Sequence, residues 1–201
     1  MKDNEMINYG TIEAKDIINR DIYIKNRKGL RQNMVAAKKN RRLDIGPNIT
    51  IYFENRKTIV HQINEMVFIE NGGDAQIKEE IEAYKSLVPN GNELVATLMV
   101  EIDNPTKRAE LLGKLGGFEE QLYLKIGDNI IKGEAELDAD RTTADGKASS
   151  VQFVHFNFSE TEKKMFKTDN IKIEIGISHE HYQHATMMNS STIKELRDDL
   201  S

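Results

Sequence analysis

FEEQLYLKIGDNIIKGEAEL, residues 118–137, holds two apolar stretches on either side of a Gly127-Asp128-Asn129 turn. Phe118–Ile126 and Ile130–Leu137 read as strands. Only three residues separate them, and a parallel crossover takes a dozen or more, so the pair is an antiparallel hairpin. Leu94–Ile102 (LVATLMVEI) is the strongest strand signal of the chain and is expected at the centre of the sheet. Asn48–Glu54 (NITIYFE) and Asn170–Ile177 (NIKIEIGI) alternate as strands do. In Ser150–Phe158 (SVQFVHFNF) the apolar residues at 151, 153, 154, 156 and 158 cannot share one face, so part of that strand is expected to be covered on both sides.

Helical signals fall between these runs. Arg56–Glu70 places Ile59, Ile63, Met66 and Val67 at helical spacing and stops at Asn71-Gly72-Gly73. Asn55 stands where its N-cap belongs. Asp74–Leu87 repeats the pattern with Ile77, Ile81 and Tyr84, and its outer face carries Glu79, Glu80 and Glu82. Asn104-Pro105 is a cap followed by proline at the first helical position. Ser159-x-x-Glu162 is a capping box, and Ser190-Ser191-Thr192 opens the last helix. Asp21–Arg42 predicts a helix with Leu30, Met34 and Ala37 on one face, weakened at its middle by Gly29. The class is therefore α+β. Residues 19–201 are expected as one domain, with a mixed, mainly antiparallel sheet packed by helices. A basic N-terminal helix lies across that sheet, and a partly ordered segment, 1–18, precedes it.

Composition narrows the chemistry. The 201 residues are 38% hydrophobic and 30% charged, enough for a core without cross-links. No cysteine is present, which excludes disulfides, thiolate catalysis and the usual iron–sulfur clusters. A divalent metal held by His, Asp or Glu is the cofactor left open. No apolar run reaches the ~20 residues of a membrane span, and the N-terminus has no secretory pattern, so a cytoplasmic location with no membrane partner is expected. The net charge of −5 is unevenly spread. Residues 20–42 carry nine Lys or Arg against one acid, a local charge of +8, and the remainder is −13.

Three segments carry a family resemblance: LDIGPNITIYFENRKTIVHQINEM (43–66), DADRTTADGKASSVQFVHF (138–156) and IEIGISHEHYQH (173–184). Together the chain resembles a family of bacterial proteins known only as a domain of unknown function, serial three-five-zero-one. His179, Tyr182 and His184 match that pattern, whereas His61, His155 and His181 depart from it. The family's genes tend to stand near those of rubrerythrin-like proteins and iron–sulfur oxidoreductases. The resemblance thereby implies a link to redox or peroxide metabolism, and it implies no catalytic residue.

Four constellations could carry function. His179, His181 and His184 offer imidazoles for a divalent metal, with His155 as a further ligand from a neighbouring strand; the alternative is a polar strand end. Arg27, Arg31, Lys38, Lys39, Arg41 and Arg42 could bind phosphates or nucleic acid. Only Tyr23 is available there for base stacking, so a solvated face or pairing with the Glu79-Glu80-Glu82 face or an acidic protein partner is the competing reading. Asp140, Arg141, Thr142, Asp145 and Lys147 form a polar loop suited to an anion or substrate, or to turn formation. Arg56, Gln62 and Glu65 could face one pocket, since positions three apart share a helix face, or form a buried polar network. No nucleophile–base–orienter set emerges from spacing. The leading expectation is a non-catalytic accessory or interaction protein serving an iron or redox system. The alternatives are a metal-dependent enzyme using the C-terminal histidines, and phosphate or nucleic-acid binding through the basic helix. The oligomeric state is left open.

Overall fold

The computed structural model describes residues 8–136 and 147–201. In chain order these form α1 (Arg20–Lys38), β1 (Arg42–Ile45), β2 (Ile49–Glu54), α2 (Arg56–Glu70), α3 (Gly73–Tyr84), β3 (Glu93–Val100) and α4 (Pro105–Leu112). They continue with β4 (Leu122–Ile126), β5 (Asn129–Lys132), β6 (Glu134–Ala135), β7 (Val151–Asn157), α5 (Glu160–Lys167), β8 (Ile173–His179), β9 (Tyr182–Met187) and α6 (Ser190–Arg197). The class is α+β. The strands are shared between two sheets, of order β1-β2-β3-β7-β6 and β5-β4-β8-β9, and every pairing is antiparallel.

The caps that the sequence carries form as local chemistry requires. Asn55 Oδ1 accepts from Thr58 N at 2.9 Å while Thr58 Oγ1 accepts from Asn55 N at 2.9 Å, so α2 begins at Arg56. Asn71 ends it in the left-handed region at φ 57°. Asn104 caps α4 with Pro105 at its start, and Ser159 with Glu162 caps α5.

β3 is central to the larger sheet and buried on both faces. Leu94, Ala96 and Leu98 join Ile49, Ile51, Phe53, Val154 and Phe156 in a core closed on its far side by Leu124, Ile175 and Ile177 of the smaller sheet. Val95 points the other way, into a second cluster with Ile59, Ile63 and Val67 of α2 and Leu87. β7 is two-sided in the same manner, with Val154 and Phe156 in the first core and Phe153 against the second.

The expected strand 130–137 is divided between the sheets. β5 pairs with β4, and two residues later β6 pairs with β7 of the other sheet. Gly133 lies between them, where a Cβ would fall 2.6 Å from Val154 Cγ1 and 3.3 Å from Leu122 O. Only glycine lets the chain pass from one sheet to the other this closely.

The basic stretch also departs from expectation. The helix stops at Lys38, Lys39–Arg41 form a tight 3-10 turn, and Arg42–Ile45 is a strand. α1 packs on α2 rather than across the sheet. Tyr23 and Arg27 meet Glu65, Arg20 meets Phe68 and Lys38 approaches Glu54, so the two helices run antiparallel. α3 packs on the other side of α2, again antiparallel, through Gln62 to Tyr84 and Gln76 to Met66. Before α1, residues 8–18 are tied down by Gly10 N to Pro89 O and Ile18 N to Asn64 Oδ1, with Ile17 buried in the second cluster. No helix among the described residues is long and apolar enough to cross a membrane.

Candidate binding cleft

One clamp joins α1 to α2. The Tyr23 hydroxyl donates to Glu65 Oε1 at 2.5 Å, and Arg27 grips the same carboxylate with Nε at 2.9 Å and Nη2 at 2.7 Å. The Arg27 guanidinium also lies 4.3 Å from the Phe68 ring centre. Burial works to raise the Glu65 carboxyl, but the hydrogen bonds from Arg27 and Tyr23 outweigh it and hold the group below the usual carboxylate range. Burial and the Glu65 carboxylate push the Tyr23 phenol up, which keeps its proton in place at neutral pH.

Beyond this clamp α1 stands away from the body. Leu30, Met34 and Ala37, the apolar face legible in the sequence, line an open cleft of about 1180 Å³. The facing wall is the first half of α2, with Arg56, Val60, His61 and Asn64. Ile18 and the chain end around Glu195, Asp198 and Leu200 complete it. Its cations are largely engaged within the protein. Arg56 donates to Thr11 O at 3.0 Å and pairs with Asp16 at 2.6 Å, Arg197 bonds Thr168 O and Asp169, and Lys167 bonds Leu200 O. Burial pushes the His61 pKa down, against the pull of Glu65, so a neutral imidazole faces the cleft. Among the described residues His61 makes no hydrogen bond.

The residues singled out in the sequence go to several places. Arg56 lines the cleft, but Gln62 turns to Tyr84 of α3 and Glu65 to α1. Positions three apart differ by 60° around a helix, and because α2 is flanked on both sides the two fall to opposite neighbours. Asp140, Arg141, Thr142 and Asp145 lie outside the described residues. Lys147 is exposed beside Ala148, away from the cleft lining.

The basic residues do not form one face. Arg27 is committed to Glu65, and Lys38 lies 3.9 Å from Glu54. Arg31 and Lys39 are exposed. Arg42 meets Tyr52, Asp44 and Glu101 at the sheet surface. Arg41 is 1% exposed and bonds Phe53 O, Glu54 O, Asp199 and Glu195. The change from helix through a 3-10 turn to strand sends successive cations in different directions.

The histidines do not all gather in one place: His179 and His181 stand together, with ring centres 5.8 Å apart, while His184 and His155 have other neighbours. β8 and β9 are joined by a tight turn at Glu180-His181. His179 Nδ1 accepts from His181 N at 3.2 Å, so the proton is on Nε2, which faces Gly116 O at 3.3 Å. His184 packs against Tyr182, with ring centres 4.5 Å apart, and over Gly46. His155 lies in the other sheet between Glu93 at 2.8 Å and Glu136 at 2.7 Å, one carboxylate on each ring nitrogen. No group of three His, Asp or Glu among the described residues is placed to hold a metal ion.

Two of these groups set an expected pH dependence. Burial pushes the Asp199 carboxyl up to about 6, against the opposing pull of Arg41. The Glu93 hydrogen bond raises His155 against burial, aided by Glu136. Each folded-state pKa lies above its unfolded value, so each group's stabilisation is complete at low pH and is lost as pH rises through the folded pKa. Stability is therefore expected to fall between about pH 4 and 6 through Asp199 and again above about 6.5 through His155. Urea unfolding across this range checks it, and His155→Gln should abolish only the upper decline. Stability rising steadily toward alkaline pH would contradict both assignments.

The architecture is that of an α+β protein with two antiparallel sheets and a helical layer carrying a side cleft. Residues 11–200 match the family described as "Protein of unknown function (DUF3501)", and the chain belongs to that family. It is similar to a crystal structure of a novel protein of unknown function from Burkholderia pseudomallei K96243, with 32% identity and a TM-score of 0.89 over 96% of this chain and 100% of that one. No curated protein matches it.

Two of the segments that carried the resemblance, 43–66 and 173–184, meet in space. Tyr182 OH donates to Ile45 O at 2.6 Å and accepts from Asn48 N at 3.1 Å, which fastens the Gly46-Pro47-Asn48 turn to β9. His61, Asn64 and Tyr23 were not identified as site residues from sequence. Nothing local marks them, because their place in the cleft depends on how α1 docks.

Proposed function

We propose that the protein is a non-catalytic binding protein whose cleft receives a helical segment of a partner protein, the partner carrying the chemistry. The observation behind this is that the apolar face of α1 lines open space instead of packing on the body. Amphipathic helices lay their apolar faces into apolar grooves, and Leu30, Met34 and Ala37, one face of α1 at i, i+4 and i+7, give the cleft an apolar wall of that kind. Met34 adds an adaptable surface. Size points the same way. A cleft of about 1180 Å³ has room for a cylinder of helix diameter roughly 15 Å long, or roughly ten residues. Two hydroxyls of the lining are committed to the fold: that of Tyr23 is held by Glu65, and that of Thr58 by Glu54 and the N-cap of α2. The gene neighbourhood of the family favours a partner from an iron or redox system.

A photo-crosslinking residue at Met34 tests this in cells that make the protein. The expected result is a covalent adduct with one other protein through an amphipathic peptide. Leu30→Glu introduced alongside should remove that adduct while leaving the fold intact, because Leu30 is only half-buried. The same adduct from a crosslinker at the exposed Lys107, remote from the cleft, or none from Met34, would defeat the proposal.

A further inference from the structure

A second surface of α1 has no occupant within the molecule. Ile24, Lys28, Arg31 and Val35 each follow by one residue the positions Tyr23, Arg27, Leu30 and Met34 that face α2 and the cleft. At 100° per residue they form a separate stripe about a quarter-turn round the helix. All four are exposed, Ile24 by 44% and Val35 by 74%. Lys28 and Arg31 make no ion pair or hydrogen bond among the described residues. In a folded protein a helix is held mainly by tertiary packing, yet α1, at 19 residues, buries only Tyr23. An apolar residue at each end with two free cations between them suits a helix bearing acids at the same spacing.

That complement exists on this chain. Glu79 and Glu82 are exposed on α3, three residues apart as Lys28 and Arg31 are. α1 and α3 flank α2 on opposite sides, so the two stripes do not meet within one molecule; Glu82 instead pairs with its neighbour Lys85. Both helices run antiparallel to α2 and hence parallel to each other. A two-fold axis along the helices therefore sets α1 of one copy on α3 of the other, and the reverse, in an isologous contact. We propose that the helical layer is a self-association surface. In it Lys28 and Arg31 of one copy pair with Glu79 and Glu82 of a second copy, flanked by Ile24 and Val35.

Exposed charge pairs are individually weak and are screened by salt, so the dimer should be concentration-dependent and loosen by about tenfold or more on passing from low to high ionic strength. Sedimentation equilibrium on the full chain provides the test. The double variant Lys28→Glu, Arg31→Glu should be monomeric, as should Glu79→Lys, Glu82→Lys. An equimolar mixture of the two should associate again, and circular dichroism on each verifies the helices. A protein that stays monomeric at low salt, a dimer unaffected by either reversal, or a mixture that fails to associate would each overturn the proposal. Binding of α1 to anionic vesicles with no self-association would overturn it too. The outcome is independent of the cleft, because neither variant alters Leu30, Met34 or Ala37.

Discussion

Arg41→Met is expected to cost about 3–5 kcal/mol of folding stability, the usual loss when one partner of a buried ion pair is removed. The guanidinium is 1% exposed and does three jobs at once. It donates to Phe53 O at 2.9 Å and Glu54 O at 3.1 Å, satisfying carbonyls at the end of β2. It pairs with Asp199, which is completely buried, and reaches Glu195 at 3.3 Å. Methionine fills the stem volume but leaves two carbonyls and a carboxylate in an apolar setting. The carboxylate can escape only by taking a proton, which it already does near pH 6 in the intact protein. The loss should therefore be smaller in acid than at neutral pH. Adding Asp199→Leu should restore much of it, since a well-packed apolar pair substitutes for a buried salt bridge at little cost. Urea midpoints of the three proteins at two pH values measure this. A single-variant loss under about 1 kcal/mol would show that the pair is not the anchor of the chain end.

Gly46→Ala should produce the second large loss, about 2–4 kcal/mol, from two separable causes. The backbone there has φ +69°, a left-handed conformation that costs an alanine about 1–2 kcal/mol. The new methyl would also sit 2.5 Å from His184 Cγ and 2.8 Å from the Tyr182 hydroxyl. Moving that hydroxyl breaks its bonds to Ile45 O and Asn48 N, which hold the turn between β1 and β2 against β9. Removing the imidazole with His184→Ala relieves the closest collision but leaves the backbone term and the contact with the Tyr182 hydroxyl, so the double variant should recover only part of the loss. Thermal and urea unfolding report both. If Gly46→Ala lay within about 0.5 kcal/mol of the parent, the packed joint between the sheets would be refuted.

The elements most legible in the sequence are those whose causes are local. The bounds of α2 follow from Asn55 at one end and Asn71 at the other, and the structure keeps Arg56–Glu70 intact. The Ser159 and Asn104 caps and the strand at Glu93–Val100 are legible for the same reason: the partners lie within four residues, or the period belongs to the strand itself. The end of α1 was less legible, because Arg41 leaves the helix to reach a carboxylate 158 residues away. No pattern in residues 20–42 announces that partner. The strand after Asp128 has a period of two throughout, and nothing in its pattern separates β5 from β6 except Gly133, whose role is apparent only once Val154 stands beside it.

The sequence by itself settles the α+β class, the antiparallel hairpin, the helix caps, the absence of thiol chemistry and the family. These depend on spacing, turn length and residue type, which the chain states directly. Tertiary structure alone decides that the strands form two sheets, and that Arg27 and Glu65 neutralise each other across 38 residues. It also decides that His155 and His184 are held by other neighbours than the His179–His181 pair, and that the apolar face of α1 borders a cleft. Those outcomes rest on which surfaces meet when helices and sheets pack, and side chains far apart along the chain acquire partners only then.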